Sequence, residues 1–263
     1  MSWRYLFGSI ISVPLLPILF FQGKRIIKET PRLAEAIQPQ GFIQTTSNKT
    51  LKIISIGEST IAGVGVDIHE NGFTGALAKE FSTKKNISVL WKVYAKSGYT
   101  AKQINKRLVP KIEESNADMI VIGLGGNDAF KLNSPTLFMI NVSALIKNLH
   151  KKFPRTPIYF TNMPPIKEFP AFTSVIKFVV GNLVEIFGAK LYKKVRKRKR
   201  VFYNREIITL AKWSKKYNIE NDPAIYFSDG VHPSKVSYDL WGKEMAQFIM
   251  KKRNFRKWMK ATL

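Results

Sequence analysis

Cysteine is absent from the 263 residues, which excludes a disulfide framework, a thiolate nucleophile and any zinc site built on thiolates. Histidine is nearly absent: His69, His150 and His232 are the only three, too scattered for metal-ligand spacing. No cofactor or metal is therefore expected. Acidic side chains are scarce, 18 against 43 Lys and Arg, so the formal net charge is +25 and a counterpart of opposite sign is implied. Internal repeats and low-complexity linkers are lacking. The 45% hydrophobic content over this length suffices to bury one sizeable core, hence one main domain.

What is present is a rhythm. Apolar runs at Leu51–Gly57, Ser88–Tyr94, Met119–Gly123 and Pro157–Asn162 alternate with helix-like stretches at Phe73–Ser82, Thr136–Lys151, Asn204–Tyr217 and Lys235–Lys252. That βαβ order predicts an α/β fold, a three-layer α/β/α sandwich around a mainly parallel sheet. Ligands of such sheets sit beyond the carboxyl ends of the strands.

With so few histidines, a general base is quickly sought. His150 lies at the polar end of a helical stretch and reads as a solvated C-terminal histidine. His69 sits in a polar loop without an orienting neighbour. His232 differs, because Asp229 stands three residues before it in Asp229-Gly230-Val231-His232-Pro233. One turn of backbone can set that carboxylate on Nδ1 and leave Nε2 free to accept a proton; the alternative is an Asp-Gly turn with a surface histidine. A serine needs such a base, since its hydroxyl is a weak nucleophile on its own. Gly57-Glu58-Ser59-Thr60 follows the first apolar run directly, although Ser59 could instead cap a following helix. Two further turns could carry oxyanion donors: Ser97-Gly98, through its backbone amide, and Gly125-Gly126-Asn127-Asp128, through the Asn127 side chain.

In order, Ser59, Gly98, Asn127 and His232 make the chain resemble the GDSL or SGNH hydrolase superfamily, over roughly Leu51 to Lys251. The resemblance implies Ser59 as nucleophile, His232 as base and then acid, and Asp229 as its orienter. It also implies an oxyanion hole of the Ser59 and Gly98 backbone amides with the Asn127 side chain. Glu58 and Thr60 depart from the family's commonest first block, and neither change is expected to touch a catalytic atom.

Tyr5 to Phe21 runs 17 residues without a charge, at the short edge of what spans a bilayer, and includes Pro14 and Pro17. The sequence after it offers no small-residue cleavage site, so an uncleaved membrane anchor, as a transmembrane helix or a re-entrant segment, is expected, the alternative being an N-terminal helix packed on the domain. The expected organisation is an anchor and basic linker at 1–35, a hydrolase domain at 36–253 and a basic tail at 254–263. Lys24, Arg25, Lys28 and Arg32 follow the run against Arg4 and the amino terminus before it. The positive-inside tendency thus leans by a small margin toward a cytoplasmic catalytic domain on a bacterial-type inner membrane, with the periplasmic side as the alternative. Seven basic residues in the eight from Lys193 to Arg200, and six from Lys251 to Lys260, point to an anionic membrane surface, with Phe255 and Trp258 at the interface. Nucleic acid is the competing partner, but no nucleic-acid fold motif accompanies the basic runs.

Phe172 to Phe187 is apolar over most of a helix and reads either as a cap over an acyl pocket, with Phe178 and Phe187 setting chain preference, or as a core helix. The expected activity is carboxylester hydrolysis, on lipid or lysolipid esters, through an acyl-serine intermediate. An acyl or acetyl transferase and a thioesterase share that machinery. A non-catalytic basic protein binding membranes or nucleic acid on a hydrolase fold is the alternative of another class. Oligomeric state is not legible.

Overall fold

A strand covered by helices on both faces has no polar side to show, and Met119–Gly123 is accordingly apolar and buried from end to end. The computed structural model describes residues 3–261, without the side chains of Trp3, Arg4, Phe7, Ser9 and Ile27; the expectations placed on the amino terminus, Arg4 and residues 262–263 lie outside it. Six strands form one sheet among the described residues: β1 (Gln40–Ile43), β2 (Thr50–Gly57), β3 (Ser88–Ala95), β4 (Met119–Gly123), β5 (Ile158–Phe160) and β6 (Val201–Tyr203). Their order is β1-β3-β2-β4-β5-β6, with β1 antiparallel to β3 and the rest parallel. The predicted α/β/α sandwich is thereby met. β1 and β6 were not among the expected strands.

The helices are α1 (Trp3–Ser12), α2 (Leu16–Glu29), α3 (Phe73–Lys85), α4 (Ala101–Arg107), α5 (Gly126–Phe130), α6 (Pro135–Lys152), α7 (Ser174–Ile176), α8 (Asn182–Val195), α9 (Leu210–Tyr217), α10 (Pro223–Tyr226), α11 (Lys235–Met250) and α12 (Arg253–Ala261). A π-helical turn at Lys177–Gly181 joins α7 to α8. On one side α11 packs along α3 so closely that a Cβ on Gly242 would strike the Leu77 backbone. On the other, α6 packs against α4 and α8.

Four expectations are corrected. The helix expected from Asn204 starts at Leu210, because Asn204 is a buried partner of Asn162 Oδ1 at the end of β6 and Thr209 caps the helix through Lys212 N. The uncharged run Tyr5 to Phe21 is divided by a 3₁₀ turn at Val13–Leu15, where Pro14 and Pro17 occupy the first turns of the segments they start. No described helix is long and apolar enough to cross a membrane. The basic end is, through Ala261, a helix whose Phe255 is 3% exposed and stacks on Phe81, so Phe255 faces the core rather than an interface. Phe187 likewise is fully buried and stacked on Phe138 at 4.2 Å, whereas Phe178 is 45% exposed: the segment is core on one side and surface on the other.

Candidate active site

Register brings the site together before any side chain is considered. Gly57 of β2 pairs with Ala95 of β3 and Gly123 of β4, so these three strands end in one row. Ser59, Gly98 and Asn127 follow that row by two, three and four residues, at the strand ends where such sheets hold ligands. The row is tight, since a Cβ on Gly57 would collide with the Gly123 carbonyl and Ile61. Ser59 lies in a turn, and the next α-helix begins only at Phe73, so its hydroxyl caps no helix.

The candidate base comes from the far end of the chain. Asp229 Oδ1 accepts the backbone N–H groups of Val231 at 2.9 Å and His232 at 2.7 Å, closing a turn that Gly230 enters at φ +82°. Asp229 Oδ2 lies 2.7 Å from His232 Nδ1. Burial pushes the Asp229 carboxyl up, but the bonds from the imidazole and these amides prevail and hold it below the ordinary carboxylate value. It is thus an ionised acceptor, and His232 carries its proton on Nδ1. Nε2 makes no hydrogen bond among the described residues, and neither does the Ser59 hydroxyl.

Two struts join this loop to the serine turn across the chain. Ser228 Oγ donates to the Gly65 carbonyl at 3.1 Å, and Tyr238 Oη donates to the Val64 carbonyl at 2.7 Å. Val64 N in turn donates to the Ser59 carbonyl at 3.1 Å. Ser234 caps α11 immediately after Pro233, so the histidine loop is fixed at both ends.

Carboxylates, two of them buried, align the donors. Glu58 accepts Gly126 N at 2.8 Å through Oε1, and through Oε2 it accepts Asn127 N at 3.0 Å and the Asn127 side-chain amide at 2.8 Å. The second amide hydrogen of Asn127 remains for a ligand. Glu58, expected to touch no catalytic atom, thus holds the candidate oxyanion donor Asn127. Burial pushes Glu58 up to about 7, against the lowering by those donors. Asp128, fully buried, accepts Ala101 N at 2.7 Å and the Asn133 amide at 2.9 Å, tying the Asn127 turn to the helix that follows Gly98. Glu35 accepts Ser97 N at 2.6 Å and pairs with Lys96 at 2.9 Å. The backbone N–H groups of Ser59 and Gly98 are unengaged among the described residues. Gly98 has φ +79° with open space where a Cβ would stand.

The sequence missed Glu58, Asp128, Glu35, Ser228 and Tyr238; the visible signal was carboxylates beside Ser59 and Asn127 in turns that leave buried strands. The remaining histidines stand apart. His69 is buried and pushed down to about 4 by desolvation, so it is a neutral packing residue. His150 is not the solvated histidine expected: its Nε2 is buried without a partner, and desolvation, with Arg200 and Arg198 nearby, holds its pKa below the usual value.

Residues 55–240 match the model of the GDSL-like Lipase/Acylhydrolase family. No match is found among curated proteins. Among solved structures, the chain is similar to a family 3 carbohydrate esterase of Clostridium thermocellum, at TM-score 0.57 and 19% identity, covering 81% of this chain and 99% of that one. It is also similar to a lipase from a goat rumen metagenome, at TM-score 0.56 and 20% identity, covering 78% and 99%. A lipase/acylhydrolase from Enterococcus faecalis aligns at TM-score 0.52 and 20% identity, covering 76% and 95%. At these identities the structures speak for the shared fold.

Proposed function

The chain belongs to the GDSL-like lipase/acylhydrolase family, and from that premise we propose that it is a membrane-associated serine hydrolase cleaving lipid or lysolipid esters through an acyl-Ser59 intermediate. Ser59 Oγ attacks the ester carbonyl carbon as His232 Nε2 takes its proton. The backbone amides of Ser59 and Gly98 and the Asn127 amide donate to the oxyanion that forms. His232 then protonates the leaving alcohol. Water, deprotonated by the same nitrogen, attacks the acyl carbon, releasing a carboxylic acid and restoring Ser59. Asp229 stays ionised throughout and stabilises the imidazolium.

The observation that carries this reading is the 2.7 Å bond from Asp229 to Nδ1, which leaves Nε2 unengaged on a loop strutted to the serine turn. The lipid preference is supported by apolar side chains near that end. Phe130, three residues beyond Asn127, is 43% exposed and packs edge-on against Phe172, beside the Ala171 amide that donates to Gly230. Residues 36–253 form the catalytic domain in this reading, and α1 and α2 attach it to one leaflet without crossing. The basic residues after the apolar run favour the cytoplasmic leaflet, whose anionic lipids attract them.

The test is release of p-nitrophenol from acyl esters of increasing chain length, by wild type and Ser59→Ala. Hydrolysis by wild type with a long-chain optimum, lost in Ser59→Ala, is the expected result. No hydrolysis at any length would sink the esterase reading. Because the chain lacks cysteine, a single cysteine placed on α9 and probed with a membrane-impermeant maleimide in intact cells reads the side: labelling before lysis would overturn the cytoplasmic placement.

A further inference from the structure

A groove of about 1550 Å³ runs between the N-terminal helices and α8, outside the catalytic loops. Its lining changes character along one helix. Near the start of α8 it is apolar, with Leu132, Phe178, Val179 and Leu183 facing Ile11 and Leu16 of the N-terminal segment. Near the end of α8 it is cationic, with Lys190, Lys193, Lys194, Arg196, Lys197 and Arg198. From Leu183 to Lys193 the helix climbs about 15 Å. The lone carboxylate of the lining, Glu185, is paired with Lys167 at 2.7 Å, and none of the six cations has an acidic partner among the described residues.

Topology gives the groove a direction. The segment leading into α8 leaves the carboxyl end of β5, and α8 feeds the amino end of β6, so α8 runs against the strands. Its apolar end therefore lies toward the catalytic end of the sheet and its cationic end away from it. The apolar end is bordered by exposed side chains of the N-terminal helices: Ile10 is 71% exposed, Val13 61%, Phe20 57% and Phe21 70%.

We propose that this groove binds an anionic phospholipid of a bilayer surface, with its acyl chains between α8 and the N-terminal helices and its phosphate among Lys193, Lys194 and Lys197. Charge complementarity selects this occupant. Six uncompensated cations need an anion, and the apolar stretch about 15 Å below them needs hydrocarbon. A bilayer met by the catalytic end presents both at the right depths, and the substrate enters from the plane in which the lipid sits. The inference rests on the membrane-associated reading above and adds a lipid class and an orientation to it.

Vesicle co-sedimentation tests it, using full-length protein with vesicles of phosphatidylcholine alone or mixed with phosphatidylglycerol. Two triple variants remove equal charge: Lys193→Gln/Lys194→Gln/Lys197→Gln in the groove, and Arg253→Gln/Lys257→Gln/Lys260→Gln on α12. Binding to the mixed vesicles is expected to fall about 100-fold for the groove triple and less than about tenfold for the α12 triple. Phe178→Ser is expected to weaken binding further at high salt, where unspecific attraction is screened. Equal losses for the two triples, or displacement of vesicles by an oligonucleotide with Phe178→Ser without effect, would overturn the lipid site. Equal binding to both vesicle types would overturn it while leaving membrane attachment standing; no binding to either would overturn both. Hydrolysis of a soluble short-chain ester by wild type, lost in Ser59→Ala, reads the hydrolase assignment separately.

Discussion

The catalytic end of the sheet and the flank covered by the N-terminal helices are held in opposite ways. At the catalytic end, Glu58, Asp128 and Asp229 each gather two or more donors, so a few short bonds fix every loop. At the flank Thr173 Oγ1 donates to Gln22 Oε1 at 2.6 Å, and apolar contact there leaves Ile10 and Phe21 mostly exposed. Charge-assisted bonds in a low-dielectric site set geometry and are lost whole when one partner goes. Distributed apolar contact tolerates change and adapts to what it touches. The first arrangement suits chemistry, the second a surface.

Single substitutions can sharpen or break that contrast. The largest effect belongs to Ser59→Ala, with kcat lowered by roughly 10⁶-fold. Its melting temperature should match wild type, because a half-buried hydroxyl without a partner holds nothing; a large thermal loss would show that the serine turn is structural. Asp229→Asn keeps an oxygen for the Val231 and His232 amides but presents the wrong group to Nδ1, and kcat should fall by about 10⁴-fold. A loss of under tenfold would show that another group orients His232.

Next comes Phe187→Ala, beneath the flank, which should cost about 3–5 kcal/mol of unfolding free energy. An altered chain-length preference at full stability would return Phe187 to the substrate pocket and erase the distinction between core and surface on that helix. Glu58→Gln opposes an amide to the donors of Gly126 and Asn127, and kcat should drop by about 10- to 100-fold, the equivalent of about 1–3 kcal/mol. Its pH signature is specific. The folded value of about 7 lies above the ordinary 4.5, so the stability linked to the protonated form is present at low pH and lost as pH rises between these values. Wild type should therefore lose stability relative to Glu58→Gln across that window, by an amount on the order of 3 kcal/mol. A constant difference would mean that the donors outweigh burial and Glu58 is ionised throughout. Smallest is Gln22→Ala, at about 1 kcal/mol, read as earlier proteolysis of the N-terminal segment with unchanged hydrolysis of soluble esters.

The same contrast explains what the sequence disclosed. β4 is buried throughout and β2 from Ile53 onward, while β3 buries Val89, Trp91 and Val93 on one face and leaves Leu90 on the other exposed; all three still appear as apolar runs, with Ser59, Gly98 and Asn127 two to four positions beyond them. Asp229 and His232 were legible because their contact is local. Glu58 was passed over because its partners lie 68 and 69 residues away, a distance over which spacing carries no signal. β1 was missed because it is an edge strand of Gln40, Gly41, Phe42 and Ile43, with Phe42 54% exposed and the Trp91 indole lying over Gly41. β6 is three residues long and hidden behind the basic run. The two faces of the Phe172–Phe187 segment cannot be told apart by hydrophobicity, since Phe178 and Phe187 differ only in what stands opposite them. Pro14 and Pro17 were visible in the uncharged run, but their consequence, two helical segments in place of one span, emerged only with the backbone.

The struts between the serine turn and the histidine loop also bear on time. Ser228 meets Gly65 across 163 residues and Tyr238 meets Val64 across 174, so the candidate nucleophile and base come together only through long-range closures. Such contacts carry the greatest loop-closure cost and form late. During synthesis, a growing chain holds Ser59 long before it holds His232. The site is thus incomplete until the chain through α11 has emerged and that helix has docked on α3.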